Sequence, residues 1–214
     1  MTISERQRQK KLQKKNAKRK LLAKSERAGS TIQQTAASFA QYPVQECLMP
    51  SGLFELGIGT LIWARRTPDG RIAAGFFLVD PFCLGVKDAV FRLLSEQDYE
   101  LTHKRRLAEA HEDQVFEPLH PTCAKKLIEG AVRYAEDLGF TAAGNYRQVK
   151  AIFGDVDAQA CPTRFTYGRD GKPFYVRSPA ESIAQARRIV DRLDKRCGAG
   201  NYNYLVMLDA GVGD

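Results

Sequence analysis

The sequence predicts an α+β domain with mainly antiparallel strand pairing, and three observations carry that expectation. β-rich apolar segments flank two tight-turn sequences, helical periodicity is confined to separate stretches, and strand–helix–strand alternation is only partial. The expected architecture is a single domain with two β-hairpins and a C-terminal strand, packed by about four helices behind a basic N-terminal arm.

The body opens near Tyr42-Pro43. IGTLIWARR at 58–66 and RIAAGFFLVD at 71–80 read as strands, and Thr67-Pro68-Asp69-Gly70 between them has the residues of a hairpin turn. PFCLGVKDAVFRLL then reads as a turn entering a short helix over Val86–Leu94. A second helix is expected over 96–111, with Ser95 as N-cap and Asp98 in an imperfect capping box. From Pro121, Ala124, Leu127, Ile128, Ala131, Val132, Ala135 and Leu138 recur at helical spacing, and Gly139 supplies the stop. Asn145–Phe153 adds a short helix. TRFTY and PFYVR flank Gly168–Lys172 as a second hairpin. Ser178-Pro179-Ala180-Glu181 reads as a capping box opening the last helix, and NYNYLVML at 201–208 as the last strand.

Charge divides the chain. Residues 1–27 hold 11 of the 33 Lys and Arg and 2 of the 25 Asp and Glu, so this arm carries +9. The remaining 22 basic and 23 acidic residues leave the body at −1. The domain boundaries expected are a basic arm at 1–27, a linker at 28–41 and a globular domain at 42–210. The arm is rich in helix formers but has no apolar stripe, which predicts a segment that is disordered or becomes helical on a partner. The same lack weighs against a membrane-surface helix, no apolar run reaches membrane-spanning length, and no h-region marks a secretory signal. Five scattered cysteines without a C-x-x-C argue against a disulfide framework or a zinc ribbon, and for a reducing cytoplasm.

Three segments, FFLVDPFCLGVKDAVFRLL at 76–94, YGRDGKPFYVRSP at 167–179 and GNYNYLV at 200–206, together resemble a family of bacterial cytoplasmic proteins that carry an LVD-x-F-C-L-G-V-K-D segment. The resemblance covers most of the body and not the arm. It implies a bacterial cytoplasmic setting and a shared fold, and brings no chemistry with it.

The densest group of chemically capable residues is Asp80, Cys83, Lys87 and Asp88. Two carboxylates and a lysine at a strand-to-helix junction suit a divalent metal and a phosphoryl transition state. The competing reading has Asp80 capping the turn, Asp88 favouring a helix N-terminus and Cys83 packed as a small core residue. A nucleophilic cysteine would need His103, His111 or His120 as base, and no local signature joins them. His120-x-x-Cys123 is one short pair where a zinc site normally shows two. No glycine-rich phosphate loop occurs, so no nucleotide cofactor is expected.

A basic arm on a neutral body points to a polyanion, since each Lys or Arg near a phosphate releases condensed counterions. The expected function is nucleic-acid binding, with RNA or the ribosome favoured over DNA. Candidate contacts are Arg6, Arg8, Lys10, Lys11, Lys14, Lys15, Lys18, Arg19, Lys20 and Lys24 in the arm. In the body they are Arg65, Arg66, Lys104, Arg105 and Arg106, with Trp63, Tyr167 and Tyr175 as stacking aromatics if their strand faces are open. The alternatives are a metal-dependent hydrolase or nuclease built on Asp80, Lys87 and Asp88, and a protein-interaction module.

Overall fold

Pro68, Asp69 and Gly70 close their turn in the computed structural model, which describes residues 36–104 and 115–206. Thr67 N donates to Arg71 O at 2.9 Å, and Gly70 takes the positive φ of 80° that favours glycine. The turn joins β2 (Gly59–Arg66) to β3 (Ile72–Asp80) in an antiparallel register running from Gly59↔Val79 to Arg66↔Ile72. Beside β2 lies β1 (Val44–Pro50), which in turn pairs with the short β5 (Phe116–Pro118). Sequence reasoning did not assign either of these strands. The short α1 (Leu53–Leu56) joins β1 to β2, and with β4 (Gly85–Leu94) the sheet has the order β4-β3-β2-β1-β5 and is antiparallel throughout, so the α+β class holds.

The segment expected to be a helix over Val86–Leu94 is instead strand β4 (Gly85–Leu94). Its register gives the reason. Asp88 pairs with Leu78 and Val86 with Val79, so Lys87 is the extra residue of a β-bulge. The bulge resets the alternation, and Val86 and Ala89, three apart, both enter the same core cluster. In sequence that spacing imitates a helix. Gly85 starts the strand at φ 66°, and a Cβ there would lie 2.9 Å from Ala131 O, so the neighbouring helix is seated directly on the turn.

Alternation along the central strands buries both faces of the sheet. Leu61, Trp63, Phe77 and Val79 point to one side, where α3 (Pro121–Asp137) packs Ala124, Leu127, Ile128 and Ala131 against them. Ile62, Ala64, Ala74 and Phe76 point to the other, under Tyr99 and Phe116. Tyr99 belongs to the stretch after β4, where α2 (Glu96–Asp98) has Ser95 as N-cap and passes into a π-helical turn at Tyr99–Lys104. The second half of the helix expected there lies outside the described residues. α4 (Tyr146–Val149) continues as a 3₁₀ turn, Lys150–Phe153, and completes the first core face.

The second hairpin does not form. Its turn does: Arg169 N donates to Lys172 O and Lys172 N to Arg169 O, with Asp170 and Gly171 at positive φ. The donor that would extend the ladder, Phe174 N, goes instead to Phe82 O at 3.1 Å, and Gly168 N goes to Pro81 O at 3.0 Å. Residues 163–167 instead pack on α3, with Tyr167 Oη donating to Leu127 O at 3.1 Å. β6 (Phe174–Val176) pairs in parallel with β7 (Asn203–Leu205), the core of the expected last strand. The final helix, α5 (Ile183–Cys197), has its cap four residues later than expected, at Ser182, because Ser182 and Gln185 form the capping box. α5, β6 and the end of α3 share a third cluster with Cys83, Tyr175 and Leu193.

Two further expectations are corrected. Part of the segment read as a linker belongs to the fold: residues 36–39 are helical, Ala36 is buried, and the Phe39 ring lies 5.8 Å from Phe91. Cys123 and Cys161, read as unpaired, form a disulfide with Cα atoms 5.0 Å apart, joining the first turn of α3 to the 3₁₀ turn at Ala158–Ala160. Their wide separation in sequence hid a pairing that tertiary packing creates. No helix among the described residues is long and apolar enough to cross a membrane.

Candidate functional site

Asp80 ends β3 with its carboxylate turned back on the following turn, where Oδ1 accepts from Phe82 N at 3.0 Å and Cys83 N at 2.9 Å. The side chain is buried. Burial raises its pKa from 3.8 to about 6, against the opposing pull of Lys87 and the turn amides. Lys87 reaches the same place from the bulge on β4, and its Nζ lies 3.0 Å from Glu181 Oε1. Glu181 Oε2 accepts from Tyr175 Oη at 2.8 Å and from Ser178 N at 3.1 Å. Burial opposes ionisation of Glu181, yet the Lys87 and Tyr175 contacts outweigh it and hold its pKa below the ordinary range.

Asp80, Lys87 and Ser178 line a cavity of about 220 Å³, walled by Ile58, Phe82, Phe174 and Val176, with Glu181 and Tyr175 behind them. Arg177 lies on its rim, with Nε donating to Glu181 O at 2.8 Å. Asp80 and Lys87 are thus brought together as the sequence suggested. Asp88 is not with them: its Oδ1 accepts from Asn145 Nδ2 at 2.8 Å and from Ala89 N at 2.9 Å. The three-residue junction is therefore not assembled, because the segment is a bulged strand and not a helical turn. Among the described residues, no group of three or more His, Cys, Asp or Glu side chains is gathered where it could hold a metal ion.

Sequence reasoning missed Glu181, Tyr175, Ser178 and Arg177. The available signal was the Ser178–Glu181 spacing. Glu181 does reach back to the Ser178 amide as a capping glutamate would, but the helix starts later and the carboxylate is left to Lys87. Cys83 is buried, and burial raises its pKa, so it is held as a thiol. His120 serves as N-cap of α3, accepting from Thr122 N, and Cys123 is committed to its disulfide.

The body residues expected to meet nucleic acid are committed to internal contacts. Arg65 is buried and rivets three carbonyls, those of Tyr42, Ile152 at 2.7 Å and Phe153 at 2.8 Å. Arg66 pairs with Glu96 and donates to Gln45. Lys104 pairs with Glu46 at 3.1 Å and Glu100 at 3.3 Å. Trp63 and Tyr175 are fully buried, and Tyr167 stacks on Tyr134 at 5.8 Å, so none of these three is laid open for a base. Arg105, Arg106 and the ten arm residues lie outside the described residues.

A different basic corner is present. Lys125 of α3, Arg147 of α4 and Lys150 line a shallow cleft of about 290 Å³ with one acid, Glu129. Further along α3 the groove passes Arg133 and Glu136, where charges balance, so positive potential is concentrated at the Lys125 end. Gly154 also lines this cleft, and a Cβ on it would lie 2.9 Å from Ala40 O. Ala40 therefore packs close to Gly154 at this cleft. Searches against protein-family models, curated proteins and solved structures find nothing that matches this chain.

Proposed function

We propose that the chain is a nucleic-acid-binding protein, with structured RNA such as that of the ribosome as its partner class. The observation that carries this reading is the charge division, +9 in residues 1–27 on a body at −1, together with the cleft lined by Lys125, Arg147 and Lys150. Arm and cleft both supply positive charge to a chain whose body is otherwise near neutral, and phosphates of one partner can be met by both. The contacts of the body are to phosphates and to shape, because the aromatics expected to stack on bases, Trp63 and Tyr175, are in the core.

Binding to a structured RNA measured across salt tests the proposal. Neutralising roughly six phosphates gives log K against log[salt] a slope of roughly −4 to −5. Replacing the eleven basic arm residues by Gln should flatten the slope and weaken binding. The K125E/R147E/K150E variant should reduce the slope by about 3 while leaving the arm intact. Equal affinity and equal slope in all three proteins would sink the proposal.

A further inference from the structure

The electrostatic surface leaves the Asp80 cavity unused, and its chemistry differs from that of the basic corner. Lys87 is matched by Glu181 at 3.0 Å, and both Glu181 oxygens are satisfied by Lys87, Tyr175 and Ser178. Asp80 also lines the space as its one carboxylate, held by the turn amides of Phe82, Cys83 and Leu84. An anionic ligand would meet Asp80 as well as Lys87, and an aliphatic ammonium would be set against Lys87. A neutral edge of N–H donors satisfies a buried carboxylate without either conflict. The walls favour a flat body: the Phe82 and Phe174 rings lie 6.4 Å apart and tilted by 44°, with Ile58 and Val176 beside them. The volume of about 220 Å³ is below the range of drug-sized pockets, roughly 300–1,000 Å³, and suits one ring system.

We propose that this cavity binds a flat heterocycle presenting adjacent N–H donors, the edge of a guanine base, with the Asp80 carboxylate accepting from that edge. The ring lies against Phe82 and Phe174, and the sugar points past Val176 toward the rim at Arg177. A guanine reaches the cavity either as a free nucleoside or as an unpaired residue of an RNA strand, and both present the same edge. The inference does not depend on the basic arm.

The test is calorimetric titration of the full-length protein with guanosine, inosine and adenosine. Guanosine should bind most tightly. Inosine lacks the second donor and should bind roughly 5- to 150-fold more weakly, the usual discrimination of a paired edge. Adenosine, with an acceptor beside its donor, should be rejected as strongly. D80N keeps an oxygen for the two turn amides and should lose the preference for guanosine. V176W should block the mouth with Asp80 untouched, and thermal melts would establish that each variant is folded. Single strands with and without guanine, compared at salt high enough to suppress the arm, separate the two sources of the base. Equal binding of the three nucleosides overturns the proposal, as does guanosine binding that survives both variants. It is also overturned if neither guanosine nor the guanine-containing strand binds better than its guanine-free counterpart.

Discussion

Replacing Asp80 by Asn should make the protein more stable at neutral pH, and the gain should vanish in acid. In the fold, burial raises the Asp80 pKa from 3.8 to about 6, so the folded state holds this proton more tightly than the unfolded chain does. Stability from this group is therefore fully present below pH 3.8 and is lost as pH rises toward 6. The loss amounts to about 2–3 kcal/mol at pH 7. Asn removes the ionisation while keeping an oxygen for the amides of Phe82 and Cys83. The charged and titratable groups around the site are Lys87, Cys83, Tyr134, Tyr175, Arg177 and Glu181. They are common to both proteins, so the difference between the two isolates Asp80. Urea unfolding of wild type and D80N at pH 4, 5, 6 and 7 would measure it. The expected result is a stability difference that shifts by about 2–3 kcal/mol in favour of D80N between pH 4 and 7. A difference that is flat with pH, or one that moves toward the wild type, would refute the electrostatic account of the cavity floor.

Three other substitutions probe the framework that holds the two candidate surfaces. Arg65→Met removes the donors to Tyr42 O, Ile152 O and Phe153 O, and stranding these buried carbonyls should cost about 3 kcal/mol or more in urea unfolding. The paired change C123S/C161S opens a loop with a sequence separation of 38, for which chain entropy gives a loss of up to about 4 kcal/mol. Thiol titration of the denatured, unreduced protein should find three of the five cysteines reactive, and finding all five would contradict the disulfide. Gly130→Ala places a Cβ 2.0 Å from Tyr167 Oη, which must leave Leu127 O, and the overpacking should cost about 1–3 kcal/mol. A melting temperature unchanged by this last substitution would show that the 163–167 segment is not seated on α3.

Where the sequence could be read, local chemistry and tertiary structure agree. Pro68-Asp69-Gly70 makes the same turn in any context that supplies two apolar strands, and α3 shows a whole face at helical spacing from Pro121 to Leu138. Reading failed where a non-local partner decided the outcome. β1 lacks clean alternation: Cys47 and Leu48 are neighbours that pack into opposite core faces, because both faces of this sheet are buried. A strand covered on both sides has no polar face to announce it. The TRFTY segment has strand composition, yet Phe174 N, the donor it would pair with, is committed to Phe82 O, and α3 provides its contacts instead.

β4 is the failure with consequences for function. As a helix, Val86–Leu94 would present Lys87 and Asp88 on its first turn beside Asp80, and a metal or phosphoryl site follows naturally from that picture. As a bulged strand, the same residues part: Lys87 goes to Glu181 and the cavity, and Asp88 goes to Asn145. One inserted residue thus removes the second carboxylate from Asp80 and leaves there an ammonium already matched by Glu181. The remaining carboxylate is buried against two phenylalanines, an environment that rewards neutral N–H donors over metal ions. The chemistry of the cavity is therefore set by the strand register, and Lys87 is the residue through which register acts. Shortening the bulge by deleting Lys87 should restore even alternation from Val79 onward, removing the ammonium and leaving Glu181 without its partner.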